Sequence, residues 1–349
     1  MSTNISSISD SRVLAVVGPT GSGKSALAVR LALAIGGEVI SADSMQIYRG
    51  LNIGTAKIPL GQRRGVTHHI LDVCTPGSTF SAADYQAMAR QIAGDIIKRG
   101  KWPIFAGGTG LYIDSALYNY EYKKEDKTQR AMPRADESPS KEELWSKLEQ
   151  VDPDSASRLH PNDTKRILRA LDYHAAHGTS ISKNTAAANE RKPFYQTLWL
   201  GLNLQRQTLY RRIDQRVDEM IQAGLMSEAA DAFKDGLDPD SQAGQAIGYR
   251  QMLSYFNGES SFDEAVASIK QESRRYAKRQ LTWFNKNKAI IWLDAERAAG
   301  LAFEEDLAKL LPEETLGLTE SDERVRDFFN RRGLLYKNKE GQVGRDIDI

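Results

Sequence analysis

The stretch "VLAVVGPTGSGKS", residues 13 to 25, constrains the fold of this chain more than any other. An apolar run, Val13 to Val17, feeds a glycine loop, and a helix-like pattern follows from Ala26. Gly18, Gly23, Lys24 and Ser25 satisfy the phosphate-loop pattern G-x-x-x-x-G-K-[ST]. Average residue frequencies would produce that pattern by accident roughly once in a hundred chains of this length. The strand before it and the helix after it make accident rarer. A loop of this kind cradles linked phosphates on backbone N–H groups at a helix N-terminus. The expected phosphate-binding set is Gly18, Thr20, Gly21, Ser22, Gly23, Lys24 and Ser25, with the Ser25 hydroxyl placed for Mg²⁺. Which polyphosphate it grips is left open by the loop alone.

The first ~115 residues alternate apolar runs with helical patterns, which predicts a P-loop-like parallel α/β sheet flanked by helices. Strands are expected at Val13–Val17, Glu38–Ser41, Ile70–Val73 and Pro103–Ala106. A helix capped by Ser81 should lie between the last two. Composition shifts at Tyr118, where "EYKKEDKTQRAMPRADESPS" carries almost no core-forming residues. Helices follow at Lys141–Val151 and Thr164–His177, and "FYQTLWLGLNL" then reads as a strand returning to the sheet. The chain is thus expected to have a core in two parts, 1–117 and 194–295, around a mainly helical insertion, 118–193. Residues 296–349 form an extension whose role the pattern does not reveal. Further helices are expected at Gln207–Ala223 and Phe262–Asn285, then a strand at Ala289–Leu293.

With 349 residues, the chain is long enough for such a core and insertion. Cys74 is the only cysteine, which excludes an internal disulfide and a multi-Cys zinc site. The five histidines lack ligand spacing and read as packing or hydrogen-bonding groups. The first residues lack an apolar signal-peptide core, and no run reaches the ~20 residues of a membrane span, so a cytoplasmic protein is expected. Net charge is only +1, so nucleic-acid binding does not follow from the total. Distribution says more: seven Lys or Arg residues and one acid, Glu272, lie between Lys270 and Lys288.

Three further constellations carry chemistry. In "EVISADSMQIYRGLNIGTAK", Asp43 stands at the end of the second strand, on the edge where α/β sites assemble. It reads either as a functional carboxylate or as a turn aspartate. In "PIFAGGTGLYIDSAL", Gly107, Gly108 and Thr109 stand where a nucleotide hydrolase often places a Walker-B aspartate. They suit close approach to a ligand, or merely a tight turn. In "IKQESRRYAKRQLTWFNKNK", Ile269, Tyr276, Ala277, Gln280 and Phe284 share one helical face, opposite an arc of Arg274, Arg275, Lys278 and Arg279. That arc reads as a solvated face or as a nucleic-acid surface.

Taken together these motifs resemble the tRNA dimethylallyltransferase, or tRNA isopentenyltransferase, family. The resemblance runs in order through "GPTGSGKS", "SADSMQIYRGLNIGTAK", "HHILDV", "FSAADY" and "GGTGLY". It continues through "DPDSASRLHPNDTKRILRALD", "LYRRIDQRVDEMI", "AIGYRQMLSYFNGE" and "RRYAKRQLTWF", covering about residues 12 to 294. It implies that the loop holds the diphosphate of dimethylallyl diphosphate rather than ATP. The implied reaction alkylates the N6 amine of the adenosine just 3′ of the anticodon and releases diphosphate. Asp43 matches the family's general base, Thr109 a residue near the reacting centre, and Arg216 a partner of the leaving diphosphate alongside Lys24 and Mg²⁺.

Carried over in the same way, Asp43, Ser44, Met45 and Gln46 would contact the target base. Lys165, Arg166, Arg169, Gly248, Tyr249, Arg250, Arg274, Lys278, Arg279, Gln280 and Trp283 would contact a tRNA anticodon stem-loop, on a monomeric enzyme. Ser273 stands where the family usually has Thr, and Asn285 replaces a common arginine. The segment around Arg130 does not match the family's insertion pattern. Two rivals remain at this point. An adenylate isopentenyltransferase would alkylate AMP, ADP or ATP, and a phosphate-loop kinase would act on a small metabolite.

Overall fold

Six parallel strands form one sheet in the order β3-β2-β4-β1-β5-β6. They are β1 (Arg12–Val17), β2 (Gly37–Ser41), β3 (His68–His69), β4 (Trp102–Gly107), β5 (Gln196–Asn203) and β6 (Ile291–Asp294). The computed structural model describes residues 12–120, 122, 139–180, 182, 192–309, 311 and 318–338. Val13 to Val17 are all fully buried. Helices cover both faces of a parallel sheet, so its central strands are apolar throughout rather than alternating. Strand β1 pairs with β4 on one side and β5 on the other, Val17 lying opposite both Gly107 and Gly201. The loops leaving these three strands therefore start side by side.

Helix α1 (Lys24–Ile35) follows the glycine loop and ends on Gly36, whose φ of 65° is the left-handed cap expected of glycine. Helices α2 (Leu60–Arg63), α3 (Ala82–Lys98) and α4 (Gly110–Leu117) complete the first half. Ser81 caps α3 in a reciprocal box with Asp84. One expected strand is corrected. Ile70–Val73 does not extend β3, which ends at His69. Ile70 and Asp72 have φ of 59° and 58°, incompatible with a strand, and Lys57 Nζ holds the Asp72 carboxylate at 2.6 Å. The apolar letters of "ILDV" conceal a turn pinned by a distant lysine.

The chain divides into two compact units, residues 118–192 and the remainder. The smaller unit contains α5 (Lys141–Val151), α6 (Pro153–Ala156) and α7 (Thr164–His177). Its core gathers Leu144, Leu148, Ala156, Ile167 and Ala170. Asp163 caps α7 and Gly178 ends it.

After β5 come α8 (Arg206–Gln222), α9 (Leu225–Lys234), α10 (Tyr249–Phe256) and α11 (Phe262–Phe284). The last elements are α12 (Ala295–Gly300), α13 (Glu304–Ala308) and α14 (Leu318–Arg331). Much of this extension is bound to the core. Leu335 bridges Leu293 antiparallel, Tyr336 N–H donates to Trp292 O at 2.9 Å, and Arg30 of α1 lies over the Phe303 ring. It covers the exposed edge that β6 would otherwise present. Among the described residues no helix is long and apolar enough to cross a membrane.

Candidate active site

Beyond β1 the chain turns through Gly18, Gly21 and Gly23, with φ of 142°, 79° and 90°. At Gly18 the positive φ coincides with a close approach: a Cβ there would lie 2.4 Å from Leu202 O on β5. The loop ends on the first turn of α1, where Ser25 is exposed. Lys24 Nζ folds back to donate to Pro19 O at 2.6 Å. The Ser22 hydroxyl is buried and has no partner.

Asp43 lies two residues beyond β2. Its Oδ1 accepts from Met45 N–H at 2.9 Å, so it does close a turn, yet it also faces charge. Burial raises its pKa, while the turn's backbone donors, Lys24 and then Arg216 oppose the rise. Lys24 is the complement. Burial and the nearby Arg216 lower its pKa to about 7, against the pull of Asp43. Burial likewise lowers Arg216, which Asp43 and Glu219 partly restore. Three groups far apart in sequence thus form one half-buried charge cluster, a cation, an anion and a second cation. That arrangement is a common mark of a reacting site.

The third wall is the turn after β4. Gly107 leaves no room for a side chain, since a Cβ would lie 2.1 Å from Ala42 O. Thr109 Oγ1 accepts from Ser44 N–H at 3.0 Å and donates to Ser44 Oγ at 3.3 Å. Helix α11 locks this turn from behind. Gln280 Nε2 donates to Gly108 O at 2.9 Å while its Oε1 accepts from Thr20 N–H at 2.8 Å. One buried amide therefore joins the phosphate loop to the Gly108 turn. Trp283 Nε1 donates to Asp114 at 3.0 Å, and its ring presses on Gly110. Tyr276 contacts Thr109 and Gln280, and burial pushes its hydroxyl up to about 12.

Sequence reasoning does not single out the fourth wall. Glu228 of α9 accepts from the successive amides of Asn52, Ile53 and Gly54 at 2.8–3.0 Å, and from Tyr249 Oη at 2.6 Å. The segment so held presents the Ala56 carbonyl to both Gln46 Nε2 at 3.4 Å and Arg216 at 3.3 Å. No local motif announces it, because Glu228 lies 174 residues or more from each amide it binds.

The structure distributes the expected RNA-contacting residues unevenly. Ser44, Met45 and Gln46 line the crossover beside Asp43 and are partly exposed. Lys278, Arg279 and Arg250 are exposed, and Arg166 and Arg169 are exposed on α7 of the smaller unit. The Lys165 side chain lies outside the described residues, as does the Arg130 segment. Tyr249 and Gly248 are buried, and the Tyr249 hydroxyl is committed to Glu228. Gln280 faces inward, as the helical face predicts, and makes contacts within the protein. The basic arc is partly neutralised: Lys270 pairs with Asp218 at 2.6 Å, Arg274 with Asp214 at 2.5 Å, and Arg275 with Glu272 at 2.7 Å.

The chain is similar to known proteins along most of its length. The model of the IPP transferase family matches residues 46–287, and that of isopentenyl transferases matches residues 11–67. A tRNA dimethylallyltransferase of Geobacillus thermodenitrificans is 44% identical over 286 residues, 81% of this chain and 90% of the relative. That of Bacillus subtilis is 43% identical over 285 residues, with the same coverage. A tRNA isopentenylpyrophosphate transferase structure from Staphylococcus epidermidis superposes with a TM-score of 0.62 at 36% identity, covering 92% of this chain and 100% of that one. A eukaryotic dimethylallyltransferase acting on tRNA gives 0.71 at 28% identity, covering 93% and 81%.

Proposed function

The chain belongs to the IPP transferase family, and from that premise we propose how its site performs dimethylallyl transfer to tRNA. It is a prenyl transferase enzyme whose curated relatives are tRNA dimethylallyltransferases. The donor is dimethylallyl diphosphate, seated on the phosphate loop. The acceptor is the N6 amine of the adenosine 3′ to the anticodon. The observation that carries this reading is the half-buried cluster of Lys24, Asp43 and Arg216 at the mouth of the loop.

The amine is a weak nucleophile, since its lone pair is delocalised into the adenine ring. Asp43 takes its proton as the C–N bond forms. Burial serves this role by making the carboxylate a better base than one in water. As the allylic C–O bond breaks, charge accumulates on the departing diphosphate, where Lys24, Arg216 and the loop amides stabilise it. Thr109, fixed by Ser44 and by the turn that Gln280 locks, borders the same space. The acceptor base must leave its stack to reach this cluster, which is cheapest in a single-stranded loop.

Mg²⁺ fits the same place. Ser25, exposed at the first turn of α1, and the donor's phosphate oxygens would hold it, adding charge neutralisation when bound. Among the described residues no cluster of three ligating side chains stands there. Magnesium held mainly by phosphate and water needs none.

The test is transfer of labelled dimethylallyl diphosphate to an anticodon stem-loop carrying that adenosine. Label should enter the stem-loop, and replacement of the adenosine by guanosine should abolish it. Efficient labelling of AMP with none of the stem-loop would overturn the tRNA assignment.

A further inference from the structure

The clamp at Glu228 touches none of the groups that react, yet it is the most heavily bonded carboxylate near them. Three consecutive amides and one phenol converge on it. Successive N–H groups turned to one point form an anion-binding concavity, and here the anion is the protein's own. Gly54 packs so closely on the Tyr249 ring that a Cβ there would sit 2.6 Å from it, which ties the segment to α10. Ala56, two residues on, holds a left-handed φ of 48°, a strained state for a residue with a Cβ. Such strain persists only where surrounding contacts impose it. Its carbonyl then receives Gln46 and Arg216, and the Thr55 carbonyl receives Gln46 as well.

We propose that Glu228 is a positioning residue for prenyl transfer: by gathering the amides of residues 52–54 it fixes the Thr55 and Ala56 carbonyls, which hold Gln46 and Arg216 beside Asp43. The inference rests on the assignment of Asp43 as base and Arg216 as diphosphate partner. Without the clamp the strained Ala56 relaxes, its carbonyl swings, and Arg216 loses the hydrogen bond that orients it in the site. The charged and titratable groups facing Asp43 are Lys24 from α1, Arg216 from α8, Tyr112 from α4 and Tyr276 from α11. Of these, only Arg216 is tied to the segment that Glu228 holds. Its withdrawal removes a cation that favours the Asp43 carboxylate, and the acid limb of the rate profile moves to higher pH.

The experiment is a double-mutant cycle with dimethylallyl diphosphate and the anticodon stem-loop. Glu228→Ala should lower kcat by about 10-fold or more, move the acid limb of kcat upward, and leave stem-loop affinity within about twofold. Glu228→Gln, which keeps one acceptor oxygen, should do less, and Tyr249→Phe, which removes a single donor, least. In an Arg216→Gln background most of the Glu228→Ala effect should vanish, and so should its pH shift. Full additivity of the two substitutions, or a kcat loss with an unmoved acid limb, overturns the proposal. The Gln and Phe variants keep size and packing, so a loss of fold in Glu228→Ala leaves the graded series to decide. A wild-type enzyme that fails to label the stem-loop would instead defeat the functional reading itself.

Discussion

Between Gly18 and Gly23 the chain holds its shape largely with its own backbone, whereas between Leu51 and Ala56 it is held largely by side chains from far along the sequence. The phosphate loop relies on three positive φ angles that glycine adopts freely, on a lysine folding back five residues, and on the Gln280 amide that receives Thr20 N–H. The crossover segment relies on Glu228, Arg216 and Lys57, the first two of which join the chain only after β5. One wall of the site is thus mainly a local motif and the other mainly a tertiary construction. On the proposed reading the first seats the diphosphate and the second places the groups around Asp43, so the contacts that sequence shows least are those that bear on proton removal.

Asp43 stands where the two walls meet, and its loss should break both at once. Asp43→Asn keeps the turn to Met45 through its side-chain oxygen but removes the proton acceptor. Transfer should fall by about 10²–10⁴ in kcat, with stem-loop binding nearly kept. A variant with near-normal kcat would reduce Asp43 to a turn residue and leave the crossover wall without a catalytic purpose.

The backbone-held wall should suffer less. Lys24→Ala removes a charge-assisted contact of about 1.5–3 kcal/mol, so kcat/KM for the donor should drop 10-fold or more. Lys24 also offers a probe that leaves the loop intact. Its folded-state pKa, lowered to about 7 by burial and Arg216, means that the free site is losing this proton around neutrality. A bound diphosphate favours the charged form, so donor binding should take up a proton when measured above pH 7. Calorimetry of donor binding in buffers of differing ionisation enthalpy reads that uptake directly. In Lys24→Ala the uptake should disappear.

The same contrast explains what could be read from sequence. The parallel sheet, the cradle, Asp43 and the inward face of α11 all follow from local spacing. Ile70–Val73 departs from its strand pattern because the lysine that bends it lies at position 57, and Tyr249 sits in a motif shared with the family while its side chain serves Glu228. Gln280 illustrates both outcomes. Periodicity places it on the buried face, but its two partners, Thr20 and Gly108, are 260 and 172 residues away. Hydrogen bonds over such separations leave no periodic trace. The extension after Ala295 has apolar letters in plain sight, yet only the β6 edge reveals what they cover.

Remote pairing also decides which cations of α11 stay exposed, and here the expected effect is smallest. By letters alone Arg274, Lys278 and Arg279 form one arc. In the fold Arg274 is engaged by Asp214 on α8 and lies over the Tyr210 ring, while Lys278 and Arg279 are exposed. A cation already paired releases few counterions when RNA arrives, because its neutralising charge travels with the protein. A free cation that meets a phosphate releases close to one. Replacing Lys278 and Arg279 by Gln should therefore weaken stem-loop binding and lower the slope of log K against log salt by about one for each side chain that meets a phosphate. Arg274→Gln should leave that slope nearly unmoved, although it removes the same formal charge. Donor binding should be unchanged in Lys278→Gln and Arg279→Gln, since both side chains are exposed and the loop is held by Gln280 instead. Equal slopes for all three substitutions would mean that the Asp214 pair opens on binding and that the arc acts as its letters suggest. An unchanged slope in the Lys278 and Arg279 variants would return the outer face of α11 to solvent and move the RNA surface elsewhere.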